Sequence, residues 1–61
     1  MPVVTVQMFE GRTPEQKREL VAAITDAVVR ITKTTPEATQ VIINEVARDH
    51  WAFAGKLASE K

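Results

Sequence analysis

The residues of this chain that could do chemistry begin with its second. Pro2 follows Met1 and opens the run Val3-Val4-Thr5-Val6-Gln7-Met8-Phe9, which leads into the turn Glu10-Gly11-Arg12. Removal of Met1, expected ahead of so small a residue, turns Pro2 into a secondary amine at the start of the chain. An α-amino group ionises near pH ~8. Burial or a neighbouring cation lowers that value toward the range of a base working at neutral pH. The proline ring also fixes one backbone torsion, which limits where the nitrogen can point. A plainer reading stands beside this one: proline opening an edge strand, where a missing N–H costs nothing. Arg12, taken alone, reads as a solvated turn residue.

Other titratable groups offer less. His50 is the single histidine and cysteine is absent, a donor set too poor for a metal site, so His50 is read as structural. Asn44, Glu45 and Asp49 read as strand-end and surface groups, with no paired-carboxylate spacing.

The elements that must position Pro2 and Arg12 follow from periodicity. Val3 to Phe9 alternates as a strand, with Val4, Val6 and Met8 on one face and Val3, Thr5, Gln7 and Phe9 on the other. Both faces are partly apolar, so both need cover. Gly11 is free to take a positive φ in the turn. Thr13-Pro14-Glu15-Gln16 is a helix start, with Thr13 as N-cap, Pro14 in the first helical position and Gln16 closing a capping box. Leu20, Val21, Ile24, Ala27, Val28 and Ile31 then fall within an arc of about 120°. Lys17, Arg18, Glu19, Asp26, Arg30 and Lys33 form the solvated side, with local pairing expected for Glu15 and Glu19. Pro36 is expected to end the helix within Thr32 to Pro36, since the residue before a proline is pushed out of the helical region. A short turn spans 36–39. Gln40 to Val46 reads as a second strand, giving a right-handed β-α-β unit with parallel strands. The tail from Ala47 to Lys56 has the character of a hairpin or docking arm. Trp51 and Phe53, two of the three aromatics of the chain, are expected against a partner subunit.

Size and charge set the remaining bounds. A chain of 61 residues is one domain, and so short a chain buries only about 60% of its unfolded surface. Eight basic and eight acidic residues cancel, which removes the positive field expected of a nucleic-acid binder. No apolar run reaches the roughly 20 residues of a membrane span and no signal pattern is present, so a cytoplasmic protein without membrane partners is expected. One helix can cover only one face of two strands. The far face, with Val3, Phe9 and Ile42 or their opposites, predicts an obligate oligomer.

These residues together have a match. Pro2 behind Met1, Glu10-Gly11-Arg12-Thr13 with Glu15-Gln16-Lys17, the run Val-Ile-Ile-Asn-Glu at 41–45, and Asp49-His50-Trp51 through Gly55-Lys56 resemble the 4-oxalocrotonate tautomerase family over essentially the whole chain. The resemblance implies an α/β subunit of the β-α-β kind, with two parallel strands, one long helix and a short C-terminal hairpin. It implies a hexamer, a trimer of dimers, with active sites shared between subunits, and keto–enol tautomerisation with neither metal nor cofactor. Pro2 would be the base, moving a proton between the oxygen and a carbon of a dienol acid such as 2-hydroxymuconate. Arg12 matches the arginine that holds the substrate carboxylate, stabilising dienolate charge and helping keep Pro2 neutral. Trp51 falls where the family has an aromatic wall that keeps water out. Gln40 stands where members efficient on 2-hydroxymuconate carry a second arginine, and it can donate hydrogen bonds but brings no charge. That difference opens a monoacid enol such as phenylenolpyruvate as substrate. The branch of the family that hydrates or dehalogenates haloacrylates needs an added carboxylate, where this chain has Ala52 and Phe53. Two further readings remain at this stage: a non-catalytic or weakly active oligomeric module of the same fold, and one half of a hetero-oligomeric tautomerase.

Overall fold

The structure is a computed structural model and describes residues 1–60. Strand β1 (Val3–Phe9) leads to helix α1 (Pro14–Thr32) and then to strand β2 (Gln40–Val46). A 3-10 turn (Arg48–His50), the short strands β3 (Ala52–Phe53) and β4 (Lys56–Leu57), and a second 3-10 turn (Ala58–Glu60) complete the order. β1 and β2 pair in parallel with Val3 opposite Gln40 and Phe9 opposite Val46, while β3 and β4 form a separate antiparallel hairpin. No helix among the described residues is long and apolar enough to cross a membrane.

Local sequence accounts for most boundaries. The Thr13 side chain accepts a hydrogen bond from the Gln16 N–H at 3.1 Å, and the Gln16 side chain accepts from the Thr13 N–H at 3.0 Å. Both donors would otherwise be unpaired at a helix start. The far end falls within the expected Thr32 to Pro36 stretch, but Pro36 is not what stops the helix. Lys33 already leaves it by taking a left-handed conformation (φ 64°), its N–H donating to the Val29 carbonyl at 3.0 Å. Pro36 instead sits in the next turn, where the Thr39 hydroxyl donates to the Thr35 carbonyl at 2.8 Å and the Thr39 N–H to the Pro36 carbonyl at 3.1 Å.

The helix lies on the face of β1 and β2 that carries Val4, Val6, Met8, Val41 and Ile43, all half-buried. Ile31, in the apolar stripe by periodicity, runs past the sheet and is exposed. On the opposite face Val3 and Ile42 remain about half exposed, at 52% and 47%. Ala58 is the one buried residue among those described. A compact monomer of 6.8 kDa exposes about 4,000 Å², whereas this chain exposes 4723 Å². The surplus is close to the ~800 Å² that each partner gives to a standard interface. The radius of gyration, 14.5 Å, likewise exceeds the ~10.5 Å of a compact chain this long. A subunit 13 Å thick in its shortest dimension has only one layer of helix on one layer of sheet.

Of the two tail aromatics, Trp51 packs within its own chain: its ring lies 4.8 Å from that of Phe9, tilted by 56°. Only Phe53, 56% exposed, stays free as a docking group. The hairpin is tied back by the Ala58 N–H, which donates to the Trp51 carbonyl at 2.7 Å.

Candidate active site

Because β1 and β2 are parallel and in register, residues at their beginnings share one end of the sheet and residues after them share the other. At the first end the Pro2 carbonyl accepts the Gln40 N–H at 3.0 Å, continuing the ladder one step before Val3. This bond fixes the backbone of Pro2 beside Gln40. Pro2 is half-buried and Gln40 exposed. The turn of Thr35 to Thr39 delivers Gln40 to this place, braced by its own hydrogen bonds.

At the other end the ladder continues as far as the Glu10 N–H, which donates to the Val46 carbonyl at 3.1 Å. Gly11 then takes φ 118°, which an L side chain rarely adopts. A Cβ added there would meet nothing within 4 Å, so the conformation, not crowding, selects glycine. The turn throws the chain back into α1 with Arg12 at the corner. Arg12 is exposed and lines a cleft of 190 Å³ with Met8, Gln16, Lys17 and Leu20.

Two groups that the sequence reading left as surface meet at this cleft. The Lys17 ammonium lies 3.0 Å from each oxygen of the Glu45 carboxylate, joining the first turn of α1 to β2. It is the one ion pair among the described residues, and the expected local pairs of Glu15 and Glu19 do not form there. A signal for it was present: Glu45 shares a strand face with Val41 and Ile43, so it points toward the helix and needs a cation there. On the opposite side of the sheet, Arg48 places its guanidinium carbon 4.1 Å from the centre of the Phe9 ring. Such a contact contributes about 0.5–1 kcal/mol when exposed. His50 is exposed in the 3-10 turn, where its N–H donates to the Ala47 carbonyl at 2.9 Å; its structural part is played by backbone. Among the described residues no three His, Asp or Glu side chains gather as a metal site would require.

The structure therefore brings Pro2 together with Gln40 and places Arg12 and Trp51 at the opposite end. The seven residues of β1 rise ~3.3 Å each, so roughly 20 Å of strand separates the ends. No side chain bridges that distance. A base at Pro2 and an anion-holding group at Arg12 can act on one small molecule only if they come from different copies of the chain. A larger hollow of 310 Å³, lined by Phe53, Lys56, Leu57 and Glu60 on the hairpin, contains none of these four residues.

Known proteins resemble this chain from end to end in sequence and fold. Residues 2–61 match the family described as tautomerase enzyme. The chain is 52% identical over 60 residues to the 2-hydroxymuconate tautomerase of Bacillus subtilis strain 168, covering 98% of this chain and 97% of that one. The crystal structure of YwhB, a homologue of 4-oxalocrotonate tautomerase, superposes with a TM-score of 0.94 at 50% identity over 98% of both chains. A heterohexamer 4-oxalocrotonate tautomerase from Chloroflexus aurantiacus J-10-fl superposes with a TM-score of 0.92 at 33% identity, covering 98% of this chain and 97% of that one.

Proposed function

The chain belongs to the tautomerase enzyme family, and on that footing we propose that it interconverts the keto and enol forms of a 2-hydroxydienoate or related enol acid such as 2-hydroxymuconate. The observation that carries this reading is a family match that begins at Pro2 and runs the length of the chain. In the proposed reaction Met1 has been removed and the neutral nitrogen of Pro2 takes the proton of the enol hydroxyl. The O–H electrons form the carbonyl, the double bond shifts, and the same proton returns to carbon. Arg12 of a neighbouring subunit holds the carboxylate and stabilises the dienolate while it carries the charge. Trp51 walls the site, and Gln40 donates hydrogen bonds beside Pro2.

Assembly is part of this reading. Roughly 20 Å of strand between Pro2 and Arg12 and the open face around Val3 and Ile42 both support an oligomer with sites between subunits. We take it to be a hexamer, a trimer of dimers, in the cytoplasm. The heterohexameric relative supports a second version, in which this chain is one of two kinds of subunit.

The test is the mass of the purified protein together with an ultraviolet assay of ketonisation. The active protein is expected to lack Met1. Pro2→Ala should lower kcat by at least about 100-fold, the scale of general base catalysis. Activity should also fall as pH drops, because the base works only when unprotonated. A fully active protein that retains Met1, and so has a tertiary amide at Pro2, would remove the base from the reading.

A further inference from the structure

We infer that Lys17 is a positioning residue that keeps the Glu45 carboxylate away from Arg12, leaving the guanidinium open for the carboxylate of the ligand. The inference rests on the tautomerase reading of Arg12 and assigns a part to two residues which that reading does not use.

The geometry points there in three steps. First, Arg12 has no ion-pair partner among the described residues, although it sits in a cleft beside a half-exposed lysine. Second, no acidic residue lines that cleft, yet Glu45 is brought to its border twice. It lies directly across the ladder from Met8, which lines the cleft, and it is gripped by Lys17, which lines it too. Third, Lys17 contacts both Glu45 oxygens at 3.0 Å, so both acceptor atoms are engaged on the lysine side. Without the ammonium, an unpaired carboxylate would remain on the helix-covered face of β2, at the border of a cleft lined by a long, flexible guanidinium that prefers forked binding to carboxylates. Glu45 would then compete with the ligand from inside the protein.

Steady-state kinetics of the intact oligomer test this with five variants: Lys17→Met, Lys17→Arg, Glu45→Gln, the double Lys17→Met/Glu45→Gln, and Arg12→Ala. Lys17→Met should raise KM about three- to fivefold, the range that a partly exposed competing ion pair produces. Its kcat should stay within about twofold, because a competing carboxylate acts on binding and not on proton transfer. Lys17→Arg, which keeps the charge, should hold KM near the wild-type value. Glu45→Gln should not raise KM and, in the double variant, should bring it back to near the wild-type value. If Lys17→Met does not assemble, Lys17→Gln carries the same expectation. An unchanged KM in the lysine variants, or a raised KM that Glu45→Gln fails to restore, overturns the inference and reduces Lys17 to a structural tie. Arg12→Ala separates the two levels. A large loss of activity there keeps the tautomerase reading whatever the lysine variants do, whereas wild-type kinetics removes the part of Arg12 and this inference with it.

Discussion

The two ends of the parallel sheet are built from the same two strands and could hardly be less alike. Where the strands begin, Pro2 and Gln40 meet through a backbone hydrogen bond and bring no charged side chain. Where they finish, Arg12, Lys17 and Arg48 surround Phe9, Met8 and Trp51 on the two sides of the sheet. One end offers Pro2 with its backbone tied to that of the uncharged Gln40, and the other offers cations beside apolar surface. An acid–base reaction on an anion needs both. Under the proposed roles of Pro2 and Arg12, strand length forbids one chain from supplying them, and packing of subunits would then be a chemical requirement as well as a source of stability. A two-fold axis running β1 of one copy against β1 of another would place unlike ends together twice.

The strongest way to break this contrast is to disable opposite ends in different copies. Pro2→Ala and Arg12→Ala proteins, each expected to lose at least about 100-fold in kcat/KM, are unfolded, mixed and refolded together. In a two-fold pair carrying one of each, one site has both defects and the other has neither. Random mixing therefore returns about a quarter of wild-type activity. Mixed oligomers seen by mass spectrometry but without recovered activity would mean that the ends do not cooperate across subunits.

A smaller effect sharpens the contrast at the neutral end. Gln40→Arg adds a charge where the wild-type chain has only amide hydrogen bonds. Bonds to charged groups are roughly twice as strong as neutral ones, so kcat/KM for a dienol with two carboxylates should rise about tenfold. A monoacid enol such as phenylenolpyruvate should change by less than about twofold, since its single carboxylate is already held at the charged end. Equal gains for both substrates would place residue 40 outside the region that reads the second carboxylate.

Much of this organisation was legible before any coordinates, for identifiable reasons. The strand limits at Val3–Phe9 and Gln40–Val46 follow from two-residue alternation and an apolar run. The helix start follows from a reciprocal capping pattern that few other arrangements satisfy. What escaped the sequence depends on atoms brought together from afar. Lys17 and Glu45 are 28 residues apart, and their meeting requires the helix packing and strand register that periodicity leaves open. The contact of Trp51 with Phe9 depends on how sharply the chain turns after β2, which the 3-10 turn decides. The helix stops within the expected Thr32 to Pro36 stretch, but its left-handed cap at Lys33 leaves no mark in the sequence, because lysine carries no preference for a left-handed φ while Pro36 offers an obvious alternative. The separation of Pro2 from Arg12 could have been read, because strand rise is nearly constant once the strand is assigned.

The smallest expected effect comes from the hairpin, which belongs to neither end and so measures what stability alone does. Ala54 and Gly55 connect β3 to β4 with φ of 51° and 81°, a two-residue turn in which both central positions are left-handed. Asn-Gly is the preferred pair for such a turn, whereas the Cβ of alanine is strained there. Ala54→Asn should therefore stabilise the fold by about 0.5 kcal/mol per chain, and the β-branched Ala54→Val should destabilise it by about 1 kcal/mol. Urea unfolding at fixed protein concentration, followed through Trp51 as the single tryptophan, measures both. Neither variant should alter KM or kcat while the oligomer is intact, because residue 54 lies beyond the residues that bring Pro2 or Arg12 into position. A kinetic change in Ala54→Asn without a change in oligomeric state would show that the hairpin tip reaches a neighbouring site, and the two-ended description would have to admit a third contributor.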